Sequence, residues 1–171
     1  MGSTKDKEQI QDLPIATYVK LIRTGEALHN EVSRGLAVEG LTASQFSTLK
    51  VLKLRGPLAQ RDIASYLLKT GGNVTVVVDN LEARSLVTRI RDTEDRRIVF
   101  VKITAEGEEV FDRVYAPHLN RIRGVMSNLD SQKLGELLDL LEALNPSLPE
   151  PLCYGQPEIP EEPKKKVRVA R

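Results

Sequence analysis

The sequence contains a single cysteine, Cys153, so neither an intramolecular disulfide nor a multi-cysteine zinc site can be assembled. Tryptophan is absent and aromatic residues make up only 4%, which favours packing of aliphatic helices over a large β-sandwich. No apolar run approaches the roughly 20 residues that span a bilayer, and the opening segment MGSTKDKEQIQD has no apolar signal-peptide core. These absences point to a soluble protein of the reducing cytoplasm. No P-loop, nucleophile elbow or metal-ligand spacing occurs, and the two histidines, His29 and His118, are far apart in the chain. An enzyme is therefore not expected, nor is a bound metal or cofactor. Net charge is only +1, so nucleic-acid binding would have to rest on a local concentration of positive charge.

What is present suits one domain with extensions: 171 residues, 40% apolar and 29% charged. Asp12 and Pro14 open a long helix whose stripe of Ile15, Val19, Ile22, Leu28, Val32 and Leu36 is interrupted by Gly25. Thr42 begins a second helix with Phe46, Leu49, Leu52 and Leu54 inward, ended by Arg55-Gly56-Pro57. LAQRDIASYLL reads as a short third helix with Ile63, Ala64 and Leu67 inward, and a fourth runs from about Gly71 to Ser85. The period then changes to two. LVTRI and IVFVKI alternate as strands around the polar loop RDTEDRR. Thr104 caps a further helix, with Glu106, Glu108 and Glu109 near its positive end and a kink expected at Pro117. Asp130 caps a last helix striped by Leu134, Leu137, Leu138, Leu141 and Leu144. The fold class is thus mainly α with a β-hairpin wing. From Pro146 onward lie six of the nine prolines, followed by the basic run at residues 164–171. Residues 146–171 read as a disordered tail, whose basic end is a solvated surface, an electrostatic DNA arm or a targeting signal.

The fourth helix is built from poor helix formers, two glycines and three consecutive valines. Two short helices and a tight turn, followed by a hairpin, make a winged helix-turn-helix, in which the second helix enters the major groove. Thr70 is placed to cap that helix, and Gly71 and Gly72 let the backbone approach a phosphate at its positive end; a turn that needs glycine only for steric reasons is the alternative. With Val74, Val77, Val78 and Leu81 inward, the outward face carries Gly72, Val76, Asp79 and Ala83, flanked by Asn73, Thr75 and Asn80. Val76 suits a thymine methyl and Asn73 an adenine edge. In the hairpin, Arg89, Arg91, Arg96 and Arg97 stand against Asp92, Glu94 and Asp95. Arg97 can reach a narrow minor groove, with Asp95 on the same side of the extended chain to hold its guanidinium. A pair that merely fixes the loop is the alternative.

LTASQFSTLKVL, LAQRDIASYLLKTGGNVTVVVDNLEARSLV and DTEDRRIVFVKITAEG resemble the MarR family (multiple antibiotic resistance regulators), over about residues 13–145. The most specific part is the wing signature of Asp95, Arg97, Ile103, Thr104 and Gly107. The resemblance implies a winged helix-turn-helix at about 42–104, dimerisation helices at about 13–38 and 105–145, and a flexible segment at 1–12. It also implies a homodimeric, ligand-responsive repressor on a pseudo-palindromic promoter site in double-stranded DNA, with Arg97 in the minor groove and Asp95 supporting it. Ser85 stands where many members carry glycine, so a less sharply capped helix end is expected there. Similar proteins often release DNA when an anionic aromatic molecule lodges between the dimerisation helices and the DNA-binding lobe. Lys20, Arg23, His29, Tyr115 and His118 are the candidates to meet such an effector, unless they are ordinary polar side chains of surface or interface helices. Cys153 has no evident basic neighbour, so peroxide sensing is not expected. The rival to DNA binding is a winged helix that serves as a protein-interaction module.

Overall fold

A computed structural model describes residues 12–68, 70–92 and 98–147. The chain runs α1 (Leu13–Val38), α2 (Ala43–Arg55), β1 (Leu58–Ala59), α3 (Gln60–Tyr66), α4 (Gly71–Ala83), β2 (Val87–Arg91), β3 (Val99–Ile103), α5 (Ala105–Met126) and α6 (Ser131–Leu144). The order matches the sequence reading with one addition. Leu58 and Ala59, expected to open the third helix, instead form a two-residue strand antiparallel to β3, with Leu58 opposite Val101 and Ala59 opposite Phe100. The wing is therefore a three-stranded sheet in the order β1-β3-β2. Two residues after a proline are too few to show a period, which is why this strand is invisible in the sequence.

Helix α1 continues unbroken across Gly25, and α5 across Pro117. At α2, Thr42 and Gln45 form a reciprocal capping box, satisfying two amides that would otherwise lack partners. Thr104 and Asp130 accept from the amides of Gly107 and Lys133, as their spacing predicts. Asp12 sits at the start of α1 but makes no side-chain capping bond.

Phe46, Leu49, Leu52, Ile63, Val74, Val78, Leu81, Val87, Val101, Phe111 and Val114 pack into one buried core. Full burial of such a side chain contributes about 1.5–3 kcal/mol. That is how α4 exists at all: Val74, Val78 and Leu81 are buried, and tertiary burial outweighs an unfavourable propensity of up to about 1 kcal/mol per residue, largest at the glycines. The end of α4 corrects the expectation at Ser85. The Ser85 amide donates to Glu82 O at 2.9 Å and the Leu86 amide to Leu81 O at 2.9 Å, the double closure of a Schellman motif. Ser85 adopts φ 60° to achieve it, a left-handed conformation costing an L-residue roughly 1–2 kcal/mol. The same closure ends α1, where Gly40 (φ 71°) fills the position without that cost.

Two long-range ties fix the lobe to the outer helices. Lys53 on α2 reaches Glu108 (2.8 Å) and Asp112 (3.4 Å) on α5, and the bond to Glu108 raises the lysine pKa above its ordinary value. Arg84 donates to the carbonyl of Gly40 at 2.7 Å. Among the described residues no helix is long and apolar enough to cross a membrane.

Candidate nucleic-acid interface

α4 presents to solvent the face that its sequence assigns outward. Gly71, Gly72, Asn73, Thr75, Val76, Asp79 and Asn80 are all exposed, while Val74, Val78 and Leu81 carry the core contact and Val77 is half-buried. Val76 is 60% exposed. Thr70 corrects a detail: it occupies the N-cap position, yet its side chain forms no capping bond. The hydroxyl that does turn back onto this helix is that of Thr75, which donates to Gly71 O at 3.1 Å. Among the described residues no side chain caps this helix start, so its first-turn amides are placed to donate to an external acceptor. A Cβ at Gly71 or Gly72 would meet nothing within 4 Å, and neither glycine has a positive φ. Nothing within the described chain requires glycine at either position, which disfavours the purely steric reading of this turn.

In the wing, β2 and β3 pair in register from Val87 opposite Ile103 to Arg91 opposite Val99, closed by Asp92 N–H to Ile98 O at 3.0 Å. Arg91 is exposed. Arg89 turns towards α4, where its guanidinium donates to both Asp79 and Glu82, while its amide donates to Glu82 at 3.1 Å. Burial opposes its charge, but the two carboxylates prevail and raise its pKa. This network was not legible in the sequence: ten residues separate Arg89 from Asp79, and only the α4–β2 turn brings them together. Asp95, Arg96 and Arg97 lie outside the described residues.

The effector candidates separate into two groups. A cleft of about 300 Å³ between α1, α2 and α5 is lined by His29, Val32, Phe46, His118, Ile122 and Met126, among others. It brings His29 and His118 together from positions far apart in sequence. Lys20 and Arg23 are exposed more than a turn further up α1 and do not line it, and Tyr115 packs instead on the Phe111 ring at 5.1 Å. The imidazole of His118 rests on Phe46 at 4.4 Å and is only 5% exposed. Burial, and then the charges of Arg121, Lys50 and His29, lower its pKa below the ordinary 6.5. The unfolded chain therefore binds a proton that the folded chain resists as pH falls through 6.5, so acidification is expected to destabilise the protein from that value downward. Urea unfolding at about pH 5.5 and about pH 7.5 should show this difference, and His118→Phe should shrink it. An equal pH dependence in both proteins would assign the effect to other groups.

An exposed, mostly uncharged helix face beside an antiparallel wing, carried on a short helix-turn-helix, defines a winged helix-turn-helix DNA-binding protein. The particular family follows from comparison. A MarR family profile matches residues 41–99. The chain is 36% identical over 125 residues to the uncharacterized HTH-type transcriptional regulator YkoM of Bacillus subtilis, covering 73% of this chain and 81% of that protein. The crystal structure of a MepR–DNA complex from S. aureus superposes with a TM-score of 0.69 at 25% identity, covering 77% of this chain and 98% of that one. CouR from Rhodococcus jostii RHA1, solved with p-coumaroyl-CoA, superposes with a TM-score of 0.68 at 25% identity, covering 82% and 99%. The chain belongs to the MarR family, whose members regulate transcription by binding DNA and are not enzymes.

Proposed function

We propose that the protein is a homodimeric repressor that reads a pseudo-palindromic promoter site and releases it on binding an anionic aromatic effector. The observation that carries the dimer is the uncovered apolar surface of the terminal helices. α6 has no buried residue although Leu138, Leu141 and Leu144 stripe it, and Leu13, Ile15 and Tyr18 of α1 are likewise exposed. Apolar faces of this extent on a folded chain mark an association surface. Two copies joined there would present two α4 helices to half-sites about one helical turn apart. The effector half of the reading is supported by the α1–α2–α5 cleft, apolar in its walls with His29 and His118 at its polar points and the charges of Lys50 and Arg121 nearby. CouR, solved with an aromatic acyl thioester, is a structural relative that supports the ligand class.

Sedimentation equilibrium and a gel shift with the protein's own upstream region test the assembly. A folded monomer at micromolar concentration would defeat the dimer, and no shifted duplex would defeat the operator. In the same assay Arg97→Ala is expected to weaken binding about ten- to hundredfold, the range of one specific groove contact, with an unchanged melting temperature. Asp95→Ala should weaken binding less, through lost orientation of Arg97. Wild-type affinity for Arg97→Ala in matched salt would remove the wing from the interface.

A further inference from the structure

An open groove of about 390 Å³ lies between the start of α3 and the wing, lined by Ala59, Gln60 and Arg61 on one side and Arg89, Ile98 and Val99 on the other. Its position relative to α4 is fixed by two contacts. Gln60 Oε1 lies 3.4 Å from Thr75 Oγ1, on the outward face of α4, and Arg89 is tied to Asp79 further along the same helix. The groove between the start of α3 and the hairpin therefore sits beside the outward face of α4. Adjacent major and minor grooves of a duplex are separated by a single sugar–phosphate strand. A duplex that takes α4 into its major groove and the wing into the neighbouring minor groove must lay that strand across this depression.

Two guanidiniums border it, and they are not equivalent. Arg89 is held by Asp79 and Glu82, so that one positive charge faces two negative ones. Arg61 is 81% exposed, and its ion pair is with its sequence neighbour Asp62 at 3.5 Å, a long contact in solvent. We infer that Arg61 seats a backbone phosphate of the strand between the two grooves, and that Arg89 forms the wall of this seat by holding the wing against α4. The inference rests on the DNA reading above and adds a contact that the sequence did not single out, since Arg61 lies outside both the recognition helix and the wing.

The test uses the full-length protein and a duplex that the wild-type protein selects from a random-sequence pool. Binding is measured as a function of salt for wild type, Arg61→Gln, Arg61→Lys and, as a remote control, Arg34→Gln on α1. Loss of one phosphate contact should reduce the slope of log affinity against log salt by about 0.9 for each protomer bound. Near 0.15 M salt the same term corresponds to about fivefold weaker binding per protomer. The loss should be uniform across single-base variants of the duplex, because phosphates carry no sequence information. Arg61→Lys should keep most of the slope, and Arg34→Gln all of it. An Arg61→Gln slope equal to wild type, or a changed base preference with an unchanged slope, overturns the phosphate seat alone. A wild-type protein that selects no duplex overturns the DNA reading itself.

Discussion

Replacing Gly107 with alanine is expected to cost about 3 kcal/mol of stability, the upper end of what overpacking a buried site costs, and to lower the melting temperature by roughly 10 °C. A Cβ at this position would stand 2.0 Å from the carbonyl oxygen of Leu86 and 2.9 Å from Ile103 Cγ1. The first is backbone, so it cannot give way as the tip of a flexible side chain can. That same carbonyl accepts from the Thr104 amide at 3.1 Å, while the Thr104 hydroxyl donates to Ser85 O at 2.7 Å and accepts from the Gly107 amide at 3.0 Å. A methyl group would have to push the start of α5 away from the α4–β2 turn and loosen all three bonds. Gly124→Ala supplies the control within the same helix. Its Cβ would meet nothing within 4 Å, so the exchange is expected to gain about 0.5–1 kcal/mol by reducing the freedom of the unfolded chain. Denaturant midpoints for the two variants decide the matter. Equal stability of Gly107→Ala and wild type would mean that α5 does not dock on Leu86 as described.

The close approach of Gly107 to Leu86 bears on how a family signature is read. Asp95, Arg97, Thr104 and Gly107 stand together in the sequence, yet Thr104 and Gly107 are a helix cap and a backbone approach within the core. Proximity in a motif does not imply a shared role. The parts legible in the sequence were those decided by local chemistry. Examples are the Thr104 and Asp130 caps, the two strands of period two around a polar loop, and the core stripe of α4, each fixed by a few neighbouring residues. The parts that escaped depend on the partner across the fold. β1 exists only because β3 offers it a free edge, and Arg89 turns towards α4 only because the α4–β2 turn sets Asp79 and Glu82 beside it. Ser85 shows a third case. Its type argued for a weak helix end, but the bonds to Glu82 O and Leu81 O hold it in a strained conformation that closes the helix fully. For the cleft between α1, α2 and α5, periodicity could place His29 on α1 and His118 on α5, but only helix packing shows that they line one cavity, with Phe46 against the His118 ring.

Val76→Glu is expected to weaken operator binding by more than about a hundredfold while leaving the melting temperature unchanged. A carboxylate carried into a groove walled by phosphates meets like charge at a cost of several kcal/mol. The protein itself should tolerate the change, because Val76 is 60% exposed and belongs to no core contact. Glutamate is also the better helix former by a few tenths of a kcal/mol. Val76→Ala poses the finer question. If this valine touches a thymine methyl, its loss should relax preference at one base pair in each half-site, by an amount on the order of 1–3 kcal/mol. Alanine at an exposed helical position should again leave stability level or slightly raised. A core role predicts the opposite pair of results, lower stability from a large-to-small change with base preference intact. The burial of Val74 and Val78 on either side of Val76 in the helix already sets the rotation that the groove reading needs. Single-base operator variants, measured beside thermal melts for both substitutions, separate contact from mere proximity. Undiminished binding by Val76→Glu would mean that α4 does not enter the groove by this face.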